Sequence, residues 1–306
     1  MDGAAALHGW IIVDKPLGTG STEVVSAVKR AVRTGGYPKV KVGHGGTLDP
    51  LATGVLPVAL GEATKLAGRM LDATKTYLFT IGFGTETSTL DAEGAVVASS
   101  DVRPTQTAIQ DVLWRFRGSI EQTPPAYSAI RIEGKRAYDR ARAGEAPEMP
   151  TRRVTVHELV IPHWDLGWDD TVFDSLTLSA TVSKGTYIRS LARDIARALG
   201  TVGHVTMLRR TAAGPFGLAK AISLDKLAEA GKARSLHEHI LPLRAGLDDI
   251  PALTLSPDQA GRLRQGRELV GIAADDGQMF ATLDDVPVAL VEVSARVARV
   301  VRGFNL

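Results

Sequence analysis

Gly43-His44-Gly45-Gly46-Thr47-Leu48-Asp49-Pro50 is the stretch on which the reading of this chain turns. Three glycines within four residues let a backbone approach something closely. The segment reads as a loop that ends at Asp49-Pro50 and projects His44 and Asp49. A loop aspartate beside proline is ordinarily a turn former. One His and one Asp make a poor metal-ligand set. A carboxylate nucleophile, the alternative to a turn former, would have to stay ionised while shielded from water. That requires a cation or several hydrogen-bond donors beside it.

Lys184-Gly185-Thr186-Tyr187-Ile188-Arg189 supplies a candidate cation. A glycine break followed by a helix start presents Tyr187 and Arg189 from the first turn. A cation there opposes the helix dipole, so a compensating anion is expected. Arg193 and Arg197 continue the same face at four-residue spacing and read first as a solvated stripe.

Around these segments, Trp10–Val13 reads as a short strand stopped by Asp14-Lys15-Pro16. Ser21 or Thr22 then caps a helix with Val24, Val25, Val28 and Val32 on one face. Tyr77–Phe83 alternates like a half-buried strand, and Val154–Ile161 and Val172–Ser183 read as strands. Thr105–Phe116 and Tyr187–Leu199 read as helices stopped by Gly118 and Gly200. Pro242–Pro251 reads as a linker into a smaller unit containing a helix over Pro257–Leu269 and a strand pair, Val286–Val293 and Ala295–Val301. Strands and helices mix without a strict βαβ repeat, so the expected class is α+β with a mixed, largely antiparallel sheet.

The 306 residues suggest about two domains. Hydrophobic residues at 44% and charged residues at 23% are an ordinary globular balance. With 36 basic and 34 acidic residues, any basic surface must come from placement rather than excess. Residues from 250 onward carry 6 Lys/Arg against 7 Asp/Glu, so this stretch is no basic arm. The absence of cysteine excludes disulfides, thiol catalysis and cysteine zinc sites. Met1-Asp2-Gly3 lacks signal-peptide character, and no run approaches the length of a membrane helix. A cytoplasmic protein is expected.

The run from Gly43 through Asp49 to Leu56 and the Ser183–Arg189 run resemble signature blocks of the TruB family of bacterial tRNA pseudouridine-55 synthases. So do Val13-Asp14-Lys15-Pro16, the Lys75–Tyr77 region, Pro125–Gly134 and Gly203-His204-Val205-Thr206-Met207-Leu208-Arg209-Arg210, in order over about residues 9–225. The resemblance implies the pseudouridine synthase fold over residues 1–245 and a small β-rich, PUA-like RNA-binding domain over 250–306. It implies an isomerase acting on a uridine in the T-arm of tRNA, with no metal, no organic cofactor, no membrane and no obligatory protein partner. Asp49 matches the family's nucleophile and Arg189 its basic partner. His44 matches the residue that takes the place of the extruded base. Tyr77 matches the aromatic that stacks on the uracil, and Tyr187 and Leu208 match further residues of the base pocket. Read without the resemblance, Tyr77 and Leu208 pass as core residues and His44 as a loop hydrogen-bonder.

Two departures from the family pattern stand out. Gly18-Thr19-Gly20-Ser21 has glycine where threonine is common, which puts one polar contact there in question. Arg131 stands where lysine is common and adds bidentate phosphate binding. Ile132–Gly144, with Lys135, Arg136, Arg140 and Arg142, is then an expected RNA-gripping arm. The competing reading is a non-catalytic tRNA-binding or tRNA-folding protein using the same surface. A guide-RNA-dependent relative acting on ribosomal RNA is a third, disfavoured by the short C-terminal unit and the lack of long basic tails.

Overall fold

The computed structural model describes residues 5–128, 130–132, 134–145, 148–162 and 172–306. They form two compact units: Met1–Leu48, Val55–Leu71 and Gly214–Leu306 in the first, Asp49–Gly54 and Asp72–Ala213 in the second. Among the described residues no helix is long and apolar enough to cross a membrane.

The second unit is a sheet with helices on one face. Gly203–Ala213 lies antiparallel to Lys75–Phe83, followed in order by Ser175–Val182, Arg152–Val160 and Gly118–Gln122, all antiparallel. On the other side of Gly203–Ala213, Ala52, Thr53 and Gly54 pair in parallel with Leu208, Arg209 and Arg210. The mixed, largely antiparallel sheet is therefore as expected. Period-2 alternation puts Phe79, Ile81, Leu176 and Leu178 on one buried face. The helices Gln106–Leu113 and Ile188–Ala198 cover it with Ile109, Leu113, Ile188, Leu191 and Ile195. Thr105 caps the first of these by accepting the Ala108 N–H.

The first unit contains the strand Gly9–Lys15 and the helix Ser21–Thr34. Gly20, not Ser21 or Thr22, is that helix's N-cap. Glycine has no capping side chain, and the Glu23 carboxylate accepts the Gly20 N–H at 3.1 Å instead. Gly43–Gly46 is not wholly loop: Val42–His44 is a strand paired with Val58, Ala59 and Leu60. Leu243 in Pro242–Pro251 is buried, and its carbonyl accepts the Trp10 Nε1–H at 3.2 Å. Beyond it, a five-stranded sheet runs in the order Ala252–Thr254, Gly277–Leu283, Val286–Ser294, Val297–Gly303, Leu269–Val270. The helix Pro257–Arg264 packs on it through Ala260 and Leu263. It ends short of Leu269 because Gly266 adopts φ +73°, which turns the chain into the Leu269–Val270 strand. Arg69 ties this β-rich part down with bonds to Gln278 Oε1 at 2.6 Å and Asp249 Oδ2 at 3.1 Å.

Candidate active site

Asp49 closes a tight turn whose first hydrogen bond runs from the Ala52 N–H to the Asp49 carbonyl at 3.0 Å. The preceding residue, Leu48, is held from both sides of its peptide by one hydroxyl. Ser21 Oγ accepts the Leu48 N–H at 2.9 Å and donates to the Leu48 carbonyl at 3.0 Å. The Gly18–Ser21 loop thus keeps a polar contact through Ser21 despite its extra glycine. After the turn the chain enters the parallel pairing with Leu208–Arg210. Gly54 there has φ +101°, and a Cβ would lie 2.1 Å from the Arg210 carbonyl oxygen, so only glycine fits.

Arg189 is the second residue of the Ile188–Ala198 helix and is almost wholly buried. One terminal nitrogen meets Asp49 Oδ2 at 2.9 Å and the Tyr127 carbonyl at 3.0 Å. The other meets Asp91 Oδ2 at 3.2 Å and the Thr89 carbonyl at 2.7 Å. The anion expected beside a cation in a first helical turn is present, and there are two. Asp49 is half-exposed while Asp91 is 10% exposed, so Asp49 is the more open of the two to an incoming molecule. Asp91 is itself fixed, accepting the Thr89 hydroxyl at 2.5 Å and the Glu93 N–H at 3.1 Å on Oδ1. Leu90 between them sits in the left-handed region at φ 63°, an arrangement that costs a bulky residue free energy. It turns the Thr89 carbonyl and the Asp91 carboxylate onto the same guanidinium.

Asp49, Asp91, Arg189 and Leu208 line one pocket together with Leu51, Ala52, Val205, Thr206 and Met207. Leu208 is half-buried and opposes Phe79 across the sheet. Tyr77 and Tyr187 lie outside this lining. Tyr77 opposes Arg210 on the neighbouring strand and leans on the same apolar core. Tyr187 is the N-cap of the arginine's helix, two residues before Arg189. His44 is in the first unit, half-buried, with its Nδ1 accepting the Gly46 N–H at 3.4 Å. Gly45 beside it admits no side chain: a Cβ would lie 2.5 Å from Met70 Cβ.

Cations gather at one end of the second unit's sheet. Burial pushes Lys75 down to about 8; Arg210 and then Lys184 act in the same direction, and Asp72 opposes them. Lys184 is exposed and pairs with Asp72 at 3.0 Å. Arg131, Lys135, Arg136 and Arg142 of the expected arm have side chains outside the described residues. Arg140 pairs with Glu145 at 2.5 Å. Among the described residues no group of three or more His, Asp or Glu is placed to hold a metal ion.

Asp91 and Thr89 were not singled out in the sequence, and Ser21 was read only as a helix cap. Asp91 had one available signal, an acidic residue in a region rich in Thr and Ser, which is too common to mark a site. The backbone carbonyls of Thr89 and Tyr127 had none.

The model of the TruB family pseudouridylate synthase N-terminal domain matches residues 31–188, and that of the tRNA pseudouridylate synthase B C-terminal domain matches 189–248. A protein of Novosphingobium aromaticivorans named tRNA pseudouridine synthase B is 63% identical over 300 residues, covering 98% of each chain. One of the same name from Zymomonas mobilis subsp. mobilis is 59% identical over 300 residues, covering 98% of this chain and 97% of its own. Among solved structures, a chain of an H/ACA RNP bound to a substrate RNA containing 2'-deoxyuridine is similar with a TM-score of 0.70 at 25% identity. The match covers 98% of this chain and 86% of that one.

Proposed function

The chain belongs to the TruB family of pseudouridylate synthases, and on that footing we propose that it isomerises uridine to pseudouridine in the T-loop of tRNA, at position 55, with Asp49 as nucleophile. The observation that carries this reading is the Arg189 fork. It sets a buried guanidinium 2.9 Å from a half-exposed carboxylate that lines a pocket.

The reaction breaks the N1–C1′ bond of the target uridine and forms a C5–C1′ bond. The C5 proton leaves and a proton arrives at N1, so substrate and product are isomers and no co-reactant enters. The uridine must first leave the stack, which costs a few kcal/mol. His44 takes its place in the RNA, and Tyr77 offers the extruded base a stacking face worth about 1–3 kcal/mol. Leu208 presses on the base from the pocket wall, and Tyr187 meets the base from the start of the arginine's helix, outside the pocket lined by Asp49 and Leu208. Asp49 adds to the sugar or to the uracil ring; either route needs the ionised carboxylate that Arg189 stabilises. Residues 1–245 carry this chemistry, and 250–306 serve as a PUA-like module holding RNA. The protein works in the cytoplasm without cofactor or obligatory protein partner.

The test is to incubate the protein with an unmodified tRNA transcript and map pseudouridine along it. Product at position 55 is expected. Product elsewhere overturns the site assignment. Tight binding with no product leaves the non-catalytic binding module as the reading.

A further inference from the structure

The helix that carries Arg189 begins without a cap of its own. Its N-cap residue is Tyr187, whose side chain makes no capping hydrogen bond. A helix start leaves backbone groups that need partners from outside. Here the partner of one of them, the Tyr187 N–H, comes from a different part of the sheet. Gln122, the last residue of Gly118–Gln122, is 1% exposed. Its Oε1 accepts the Tyr187 N–H at 2.7 Å, and its Nε2 donates to the Tyr187 carbonyl at 3.1 Å. One amide thus pairs with both backbone groups of Tyr187, as a neighbouring strand would.

Arg152 is the register partner of Gln122 across the adjoining strand. Its guanidinium carbon lies 4.9 Å from the centre of the Tyr187 ring, and Nη2 donates to the Gly185 carbonyl in the turn just before. Among the described residues, Arg152 Nε is buried and has no hydrogen-bond partner. The next residues along the chain continue the grip. The Thr123 carbonyl accepts from Ser190 Oγ at 2.8 Å and Arg193 Nη2 at 3.1 Å, and the Tyr127 carbonyl accepts from Arg189 itself.

We propose that Gln122 and Arg152 are positioning residues that clamp Tyr187 by backbone and ring, and so fix the helix turn that aims Arg189 at Asp49. Gln122 sets where the backbone of Tyr187 lies, and Arg152 sets how its ring faces. The role assigned to the pair in catalysis rests on the pseudouridine synthase reading above; the clamp itself does not.

The experiment has two arms. Protein labelled with 3-fluorotyrosine gives signals from five tyrosines, with Tyr187 assigned through Tyr187→Phe. In Arg152→Lys, Arg152→Met, Gln122→Glu and Gln122→Met, the Tyr187 fluorine signal is expected to move while the other four stay. In the second arm, single-turnover pseudouridine formation falls about 10- to 100-fold in Arg152→Met and Gln122→Met, with tRNA affinity unchanged. Arg152→Lys, which keeps a cation over the ring, recovers part of the rate. Gln122→Glu keeps the acceptor for the Tyr187 N–H and supplies the reading if Gln122→Met does not fold. An unmoved Tyr187 signal, or all five moving together, overturns the clamp. Rate loss matched by affinity loss overturns its catalytic role. A wild-type protein that makes no pseudouridine defeats the function above while the fluorine arm still decides the clamp.

Discussion

Replacing Arg189 by lysine keeps the charge and removes the fork. The guanidinium serves four acceptors from two terminal nitrogens: Asp49 Oδ2, the Tyr127 carbonyl, Asp91 Oδ2 and the Thr89 carbonyl, at 2.9, 3.0, 3.2 and 2.7 Å. An ammonium has three donors on one atom and cannot occupy both positions. At least two of the four bonds are lost. A hydrogen bond to a charged group contributes about 1.5–3 kcal/mol. The Asp49 limb is discounted because that carboxylate is 44% exposed and water replaces part of the loss. A stability loss of about 2–4 kcal/mol is therefore expected by urea denaturation. Turnover should fall further than this suggests, because Asp49 also loses its aim. A displacement of about 1 Å costs about 10²-fold in rate, or about 2.7 kcal/mol of barrier. The assay is single-turnover release of tritium from tRNA carrying C5-tritiated uridine, with filter binding run in parallel. Turnover near wild type in Arg189→Lys would show that charge alone suffices and that the fork is incidental. A rate loss mirrored in tRNA affinity would make Arg189 a phosphate contact.

Other substitutions separate the remaining roles. Asp49→Asn should abolish product in the tritium assay while tRNA binding stays within a few-fold; retained turnover would remove Asp49 from the nucleophile's place. Asp91→Asn keeps the shape and removes the charge, so single-turnover rate should fall about 10-fold, a loss of about 1.4 kcal/mol in barrier stabilisation, with binding retained. Gly54→Ala forces a Cβ onto the Arg210 carbonyl at a positive φ and should cost about 2–4 kcal/mol of stability by urea denaturation. Lys75 has a folded pKa of about 8 against an ordinary 10.5, so the unfolded chain binds more protons between these values. Its contribution to stability is lowest below pH 8 and rises toward pH 10.5. The urea midpoint of the wild type should therefore rise relative to that of Lys75→Met between pH 7 and pH 10, and a constant difference would contradict the buried cation.

What the sequence exposed and what it hid follow from periodicity. Lys75–Phe83 and Ile188–Ala198 were legible because each repeats its apolar residues at one clean spacing. Ala52–Leu60 was not, because Gly54 and Pro57 sit inside it and read as breakers. Its glycine is demanded by the close Arg210 backbone rather than by a turn. Gly203–Ala213, the longest strand described, was seen only as a family motif. Register shifts between Val205 and Met207 and between Arg210 and Ala212 break its alternation twice. Arg189 as partner of Asp49 was expected from the residues and the resemblance together, and the two stand 2.9 Å apart.

The rest of the Arg189 environment had no such route from sequence. Two of its four acceptors are backbone carbonyls, and a carbonyl carries no residue identity. Thr89 is 100 residues from Arg189 and Tyr127 is 62, so no local spacing links them. The aiming of the Thr89 carbonyl depends on Leu90 at φ 63°, a conformation leucine does not advertise. A nearly buried guanidinium held by two carbonyls and a second carboxylate is a fixed positive group that cannot swing away to a phosphate. On the proposed function, that immobility suits a catalytic counter-ion rather than an RNA-binding arginine, and it resides in the loop 89–91 and the segment 122–127 rather than in Arg189.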